Sequence, residues 1–177
     1  MKLCFGAVEF THFTIDCSAL LIEMLINIIR ALPNLLSLEI SFIWMNLDLS
    51  FEDFEALLLV SITSKITKVK VDKIRTGDQR ELVMNLCPRM QYLEVGYTTD
   101  DDLAKMIGYI ALNNETRALY LCHLCVCATS LSEEEEIVRS VHKMIGFERL
   151  FQLESNTFRN YRIQHRNKKV FLDWDLS

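Results

Sequence analysis

Cys122, His123, Cys125 and Cys127 form the densest group of ligand-type side chains in the chain. Thiolates and imidazoles at such spacing bind zinc when a second pair completes four ligands. No second Cys/His pair accompanies this one, so no metal site is expected and the three cysteines are read as core or surface thiols. In a strand, Cys125 and Cys127 share one face while Cys122 points to the other. The same residue types would also suit a cysteine nucleophile with His123 or His142 as its base. His12 and His165 have no partner by spacing. There is no glycine loop for a phosphate, no Gly-x-Ser-x-Gly elbow and no His-Glu-x-x-His, so no catalytic residue and no cofactor is nominated. Basic side chains gather at Arg159, Arg162, His165, Arg166, Lys168 and Lys169. On an acidic chain without aromatic or glycine-rich RNA-binding signatures, they read as a solvated turn, and no nucleic acid is expected.

The elements that would position such residues are set by a pattern that returns five times: apolar, two variable residues, apolar, one variable, apolar. The copies are Phe10/Phe13/Ile15, Leu35/Leu38/Ile40, Ile66/Val69/Val71, Met90/Leu93/Val95 and Leu121/Leu124/Val126. Their last members are 25, 31, 24 and 31 residues apart. Periods of this size are the signature of a solenoid, in which each repeat stacks on its neighbour. The intervening slots hold His12, Thr14, Asp16; Ser37, Glu39, Ser41; Lys68, Lys70, Asp72; Tyr92, Glu94, Gly96; and His123, Cys125, Cys127. None is aliphatic, although 50% of the chain is hydrophobic. That alternation predicts strands with one face buried and one exposed.

Between the strands lie segments with helix grammar. The first spans 18–31, with Ser18 as N-cap and Pro33 ending it. The others open at Ser50/Asp53, Thr76/Gln79, Thr99/Asp102 and Ser132/Glu135, as capping boxes or their shorter acidic variants. The acidic clusters at 100–102 and 133–136 fall in first turns, where carboxylates oppose the helix dipole while remaining solvated. Parallel neighbours need such crossovers. A doubly wound sheet is covered on both faces and carries continuous apolar strands. Strands with a polar face point instead to helices on a single side. The expected fold is α/β: a leucine-rich-repeat-like horseshoe solenoid of about five β-α repeats with parallel strands over 1–150. Residues 151–177 close it, within the same domain, as a capping β-hairpin built from Tyr161-Arg162-Ile163-Gln164-His165 and Val170-Phe171-Leu172-Asp173-Trp174.

Composition narrows the functional classes. A 177-residue chain with 24% charged residues, five glycines and two prolines is one ordered domain without linkers. A net charge of −5 disfavours nucleic acid and anionic membrane. The apolar run from Ala19 to Ile29 is interrupted by Glu23 and Asn27 and falls short of the roughly 20 residues a span requires, so no membrane association is expected. No convincing secretory signal follows Met1-Lys2 and the thiols are expected to be buried, so a reducing compartment, cytoplasmic or nuclear, is expected.

Ala31-Leu32-Pro33-Asn34-Leu35-Leu36-Ser37-Leu38-Glu39-Ile40 and Leu86-Cys87-Pro88-Arg89-Met90-Gln91-Tyr92-Leu93-Glu94-Val95 resemble leucine-rich repeats of the helix-containing kind that follow the F-box in F-box proteins. There a Leu-Pro or Cys-Pro dipeptide precedes the first strand leucine. Residues 117–126 and Lys169-Val170-Phe171-Leu172-Asp173-Trp174 resemble the C-terminal part of F-box-like proteins with divergent repeats. The consensus Asn or Cys after each strand is replaced by Ser18, Ile43, Ile74, Thr98 and Thr129.

This resemblance implies a protein-binding domain, the substrate-recognition part of an F-box-type ubiquitin-ligase receptor. The adaptor would be reached only through an F-box outside this chain. The expected contact residues are His12, Thr14, Ser37, Glu39, Lys68, Lys70, Tyr92, Glu94 and His123, with Tyr92 the most anchor-like. The alternatives are a small α/β enzyme with its pocket at the C-terminal strand ends, or a structural fragment of a longer protein.

Overall fold

A computed structural model of the chain describes residues 10–16, 20–44, 51–74, 76–96, 99–113, 120–150 and 161–174. The elements are β1 (His12–Ile15), β2 (Leu20–Leu21), α1 (Ile22–Ala31), β3 (Ser37–Trp44), α2 (Phe51–Thr63), β4 (Lys68–Lys73), α3 (Gly77–Leu86), β5 (Tyr92–Gly96), α4 (Asp100–Asn113), β6 (His123–Cys127), α5 (Leu131–Leu150), β7 (Tyr161–Arg166) and β8 (Lys169–Trp174). One sheet runs in the order β1-β3-β4-β5-β6-β8-β7, and β2 adds a short pairing to β3. Every pair from β1 to β6 is parallel; β8 pairs antiparallel with β6, and β7 with β8.

The five sequence copies meet slot for slot. Phe13, Leu38, Val69, Leu93 and Leu124 are successive partners, and so are Ile15, Ile40, Val71, Val95 and Val126. Both rows continue into β8 through Leu172 and Val170. From β3 to β8 these side chains are almost wholly buried, each contributing about 1.5–3 kcal/mol relative to exposure. They share one apolar cluster with Leu25 and Ile29 of α1, Leu57 and Val60 of α2, Leu82 and Leu86 of α3, Leu103 and Ile107 of α4, and Ile137 and Val141 of α5. The helices therefore pack against the face that carries the apolar slots.

The entry to each strand is built the same way. The paired amides of Leu36/Ser37, Thr67/Lys68, Gln91/Tyr92 and Cys122/His123 converge on the carbonyls of Thr11, Leu36, Thr67 and Gln91, one strand back. The two proline turns also match, Leu35 N–H donating to Leu32 and Met90 N–H to Cys87. Gly96 is dictated by close approach: a Cβ there would lie 2.0 Å from the Asp72 carbonyl oxygen on β4.

Helix starts follow the sequence in part. Thr76 and Gln79 form the reciprocal box expected, each side chain 3.2 Å from the other's backbone N–H. Thr99 receives the Asp102 amide at 3.1 Å. The expected Ser132/Glu135 box does not form. Ser130 accepts from the Glu133 amide instead, while the Glu133 carboxylate takes the Thr129 N–H and hydroxyl. The first helix begins later than expected, at Ile22, because Leu20–Leu21 are extended and pair with Ile43 and Trp44. Ser18, Ser50, Thr98 and Arg159, singled out in the sequence, lie outside the described residues, as do Cys4 and Cys17. Of the replaced consensus positions, Ile74 is buried in the core.

The C-terminal hairpin turns through Asn167 and Lys168, at φ 54° and 60°. Two successive left-handed residues are what a two-residue hairpin turn requires. Val170, Leu172 and Trp174 of β8 enter the core, so the hairpin extends the sheet. Among the described residues no helix is long and apolar enough to cross a membrane.

Candidate functional site

The face opposite the helices carries the polar slots in three rows. Register pairs His12, Ser37, Lys68, Tyr92, His123 and Asp173 across the first. Thr14, Glu39, Lys70, Glu94, Cys125 and Phe171 form the second. Gly96, Cys127 and Lys169 are partners in the third. Toward β1 the Ser41 hydroxyl reaches Asp16 at 3.3 Å.

Of the nine nominated contact residues, His12, Thr14, Lys68 and His123 are exposed, and Ser37, Glu39, Lys70 and Tyr92 are half-buried. Glu94 departs from the expectation of an exposed contact, being only 6% exposed. Its Oε1 accepts from Lys169 Nζ at 2.8 Å and Cys127 Sγ at 3.4 Å, and its Oε2 from the Tyr92 hydroxyl at 2.8 Å. Burial pushes the Glu94 carboxyl up, but the hydrogen bonds from Lys169 and Tyr92, with the Lys169 charge, hold it below the usual range. Tyr92 is raised by burial and by its bond to Glu94. Glu94 thus works from beneath, fixing the Tyr92 ring.

Neighbouring basic side chains also have partners along the surface. Lys68 Nζ lies 5.1 Å from the Tyr92 ring centroid, within cation–π range. Lys70 pairs with Glu39 across β3 and β4, and that hydrogen bond raises its pKa. His123 Nδ1 meets Asp173 Oδ1 at 2.8 Å. The face therefore presents alternating charge around one half-buried aromatic ring. Lys169 and Asp173 complete it from the hairpin, at positions the repeat pattern does not reach.

No family model, curated protein or solved structure matches this chain.

Thiols and a second ionisable cluster add to this picture. Cys125 is fully buried, Cys127 is half-buried, and both thiols are free. The Sγ atoms of Cys125 and Cys127 and a Glu94 carboxylate oxygen all lie within 4.8 Å of one another. The interaction between the two thiols lowers the Cys125 pKa and raises that of Cys127. Cys122 faces away, its thiol 3.6 Å from the Gln91 carbonyl, and burial raises its pKa. Cys87 is a buried apolar thiol pushed up to about 12 by desolvation. His165, unpartnered by spacing, donates from Nδ1 to Glu134 Oε1 at 2.8 Å. Glu134 also takes the Lys168 amide at 3.0 Å. One member of the acidic cluster expected to be solvated is therefore buried and tied to the hairpin turn.

At the C-terminal strand ends, the depression lined by Ile74, Arg80, Gly96, Asp102 and Val126 holds about 10 Å³, one water's worth of space. Arg80 spans it, donating to the Lys105 carbonyl at 2.6 Å.

Proposed function

We propose that the chain is a leucine-rich-repeat-like solenoid that binds another protein through the polar face of its sheet. The repeat reading draws support from the equivalent strand entries and the matching Leu32 and Cys87 turns, since a solenoid is one supersecondary unit applied repeatedly. The binding reading rests chiefly on one observation. Ser37, Lys68, Tyr92 and His123 stand in one row across four parallel strands, with no described helix on their side. Glu39 and Lys70 in the adjacent row, beside Lys68, add charges of both signs, which suits recognition of a charge-patterned protein surface, because complementary potentials set specificity and on-rate. Tyr92, half-buried and oriented by Glu94, is the anchor. By resemblance, the target would be the substrate of an F-box-type ubiquitin ligase, with the domain acting in the cytoplasm or nucleus.

Two experiments test this. A form of the protein carrying any upstream F-box should co-purify with the F-box-binding adaptor; failure to do so refutes the ligase role while leaving protein binding standing. Quantitative capture with the tagged domain should yield a partner that is lost in Lys68→Glu/Tyr92→Ala and retained by a variant altered on the helical side, such as Glu135→Lys/Glu136→Lys. Equal retention by both would refute the assigned face.

A further inference from the structure

We propose that Glu94, Cys125 and Cys127 bind a thiophilic divalent cation, best matched by Zn²⁺. Cys125 and Cys127 lie two apart on β6 and project from the same face, and Glu94 is the register partner of Cys125 on β5. Their three donor atoms lie within 4.8 Å of one another. Zinc–sulfur bonds of ~2.3 Å and zinc–oxygen bonds of ~2.0–2.2 Å in a tetrahedron place donors roughly 3.5–3.8 Å apart. Side-chain rotation of about an ångström closes that difference. Two soft sulfurs with one carboxylate select zinc over magnesium or calcium, which take oxygen ligands.

Charge and surroundings agree. Two thiolates and a carboxylate around a divalent ion leave one negative charge. Lys169, 2.8 Å from Glu94 Oε1, supplies the compensating positive one and would hold the carboxylate in orientation, as outer hydrogen-bond partners of metal ligands do. A purely packing role fits Cys87, buried in the apolar core, but not thiols that share the polar face with a charged pair. Binding replaces two S–H bonds with two zinc–sulfur bonds and releases two protons, so affinity rises with pH. The half-buried Cys127 gives the approach from solvent, and water fills the fourth position. Sequence spacing does not announce this set, because its third ligand is a carboxylate some thirty residues upstream, and not a second Cys/His pair.

The test is Co²⁺ titration of the reduced, metal-free full chain. The expected result is a thiolate-to-cobalt charge-transfer band that saturates at one ion per chain and is displaced by Zn²⁺. Cys125→Ser/Cys127→Ser should abolish the band, Cys122→Ser should keep it, and Glu94→Gln should weaken binding by about tenfold or more. If the double variant fails to fold by circular dichroism, the single change Cys127→Ala at the half-buried position should remove the band from a folded protein. The site is overturned if the folded wild type gives no band in Co²⁺ excess. It is equally overturned if the band survives loss of Cys125 and Cys127, or if mild oxidant joins these two thiols in a protein that takes up no metal.

Discussion

Replacing Gly96 by alanine should destabilise the protein, even though glycine-to-alanine changes within secondary structure usually do the reverse. The new Cβ would stand 2.0 Å from the Asp72 carbonyl oxygen and 3.2 Å from its carbon. Relief requires β4 and β5 to separate by more than an ångström just beyond the Val71–Val95 pair. Val71 and Val95 are almost wholly buried, so the movement disturbs packed core as well as the ladder. Overpacking of this kind costs about 1–3 kcal/mol, and a lost ladder hydrogen bond about 0.5–1.5 kcal/mol net. Alanine's smaller unfolded-state entropy offsets roughly 0.4–1 kcal/mol. The net expectation is a loss of about 1–4 kcal/mol, read as a lower urea midpoint at unchanged slope. In thermal melts it corresponds to about 2–4 °C per kcal/mol for a chain of this size. Gly108, inside α4 with nothing within 4 Å of a built Cβ, is the control. Gly108→Ala should stabilise by roughly 0.5–1 kcal/mol. Should Gly96→Ala prove neutral or stabilising, the close packing of β4 on β5 is wrong, and with it the register of the polar rows.

Glu94→Gln should flatten the acid limb of stability. The folded-state pKa of Glu94 lies below its ordinary value of 4.5; its contribution is therefore present above that pH and lost as pH falls through the depressed value. Urea melts between neutral and acid pH should show wild type losing more stability than the variant, and parallel curves would contradict the assignment. Glu134→Ala removes the acceptor of the Lys168 amide and the partner of His165. It should cost about 1.5–3 kcal/mol, with hydrogen exchange accelerated first in β7 and β8. Thr76→Ala, which opens the α3 capping box, should cost ~1 kcal/mol in the same melts. Lys70→Met should cost under about 1 kcal/mol, because both partners of the Lys70–Glu39 pair keep more than a third of their side-chain surface in water. The same change should slow partner association in a salt-dependent way, measured by surface binding kinetics.

The strands were legible because alternation is a local property: Leu38 and Ile40, or Leu93 and Val95, declare the buried face within five residues. The identical spacing within each copy then aligned Leu38 with Val69 and Leu93. Helix starts were legible where one hydroxyl and one acceptor stood alone, as at Thr76. Around 129–135, Thr129, Ser130 and Ser132 precede four glutamates, and local grammar cannot choose among them. Packing chose Ser130, with Glu134 drawn away to the hairpin. The extended Leu20–Leu21 was hidden inside an apolar run whose helical and extended readings are equally hydrophobic. Least legible was the setting of Glu94. Its partners come from its own strand, from Cys127 one strand over, and from Lys169, which is 75 residues away. Only the antiparallel docking of β8 on β6 brings that lysine in, and no sequence period announces it.

Photo-crosslinking from single positions tests the binding face most directly. A crosslinking side chain placed at Ser37, Lys68 or His123 should form adducts with one and the same partner protein. Placed at Glu55 or Glu135, on the helical layer, it should form none. Adducts arising only from the helical positions would remove the polar rows from recognition and transfer binding to the opposite side of the molecule.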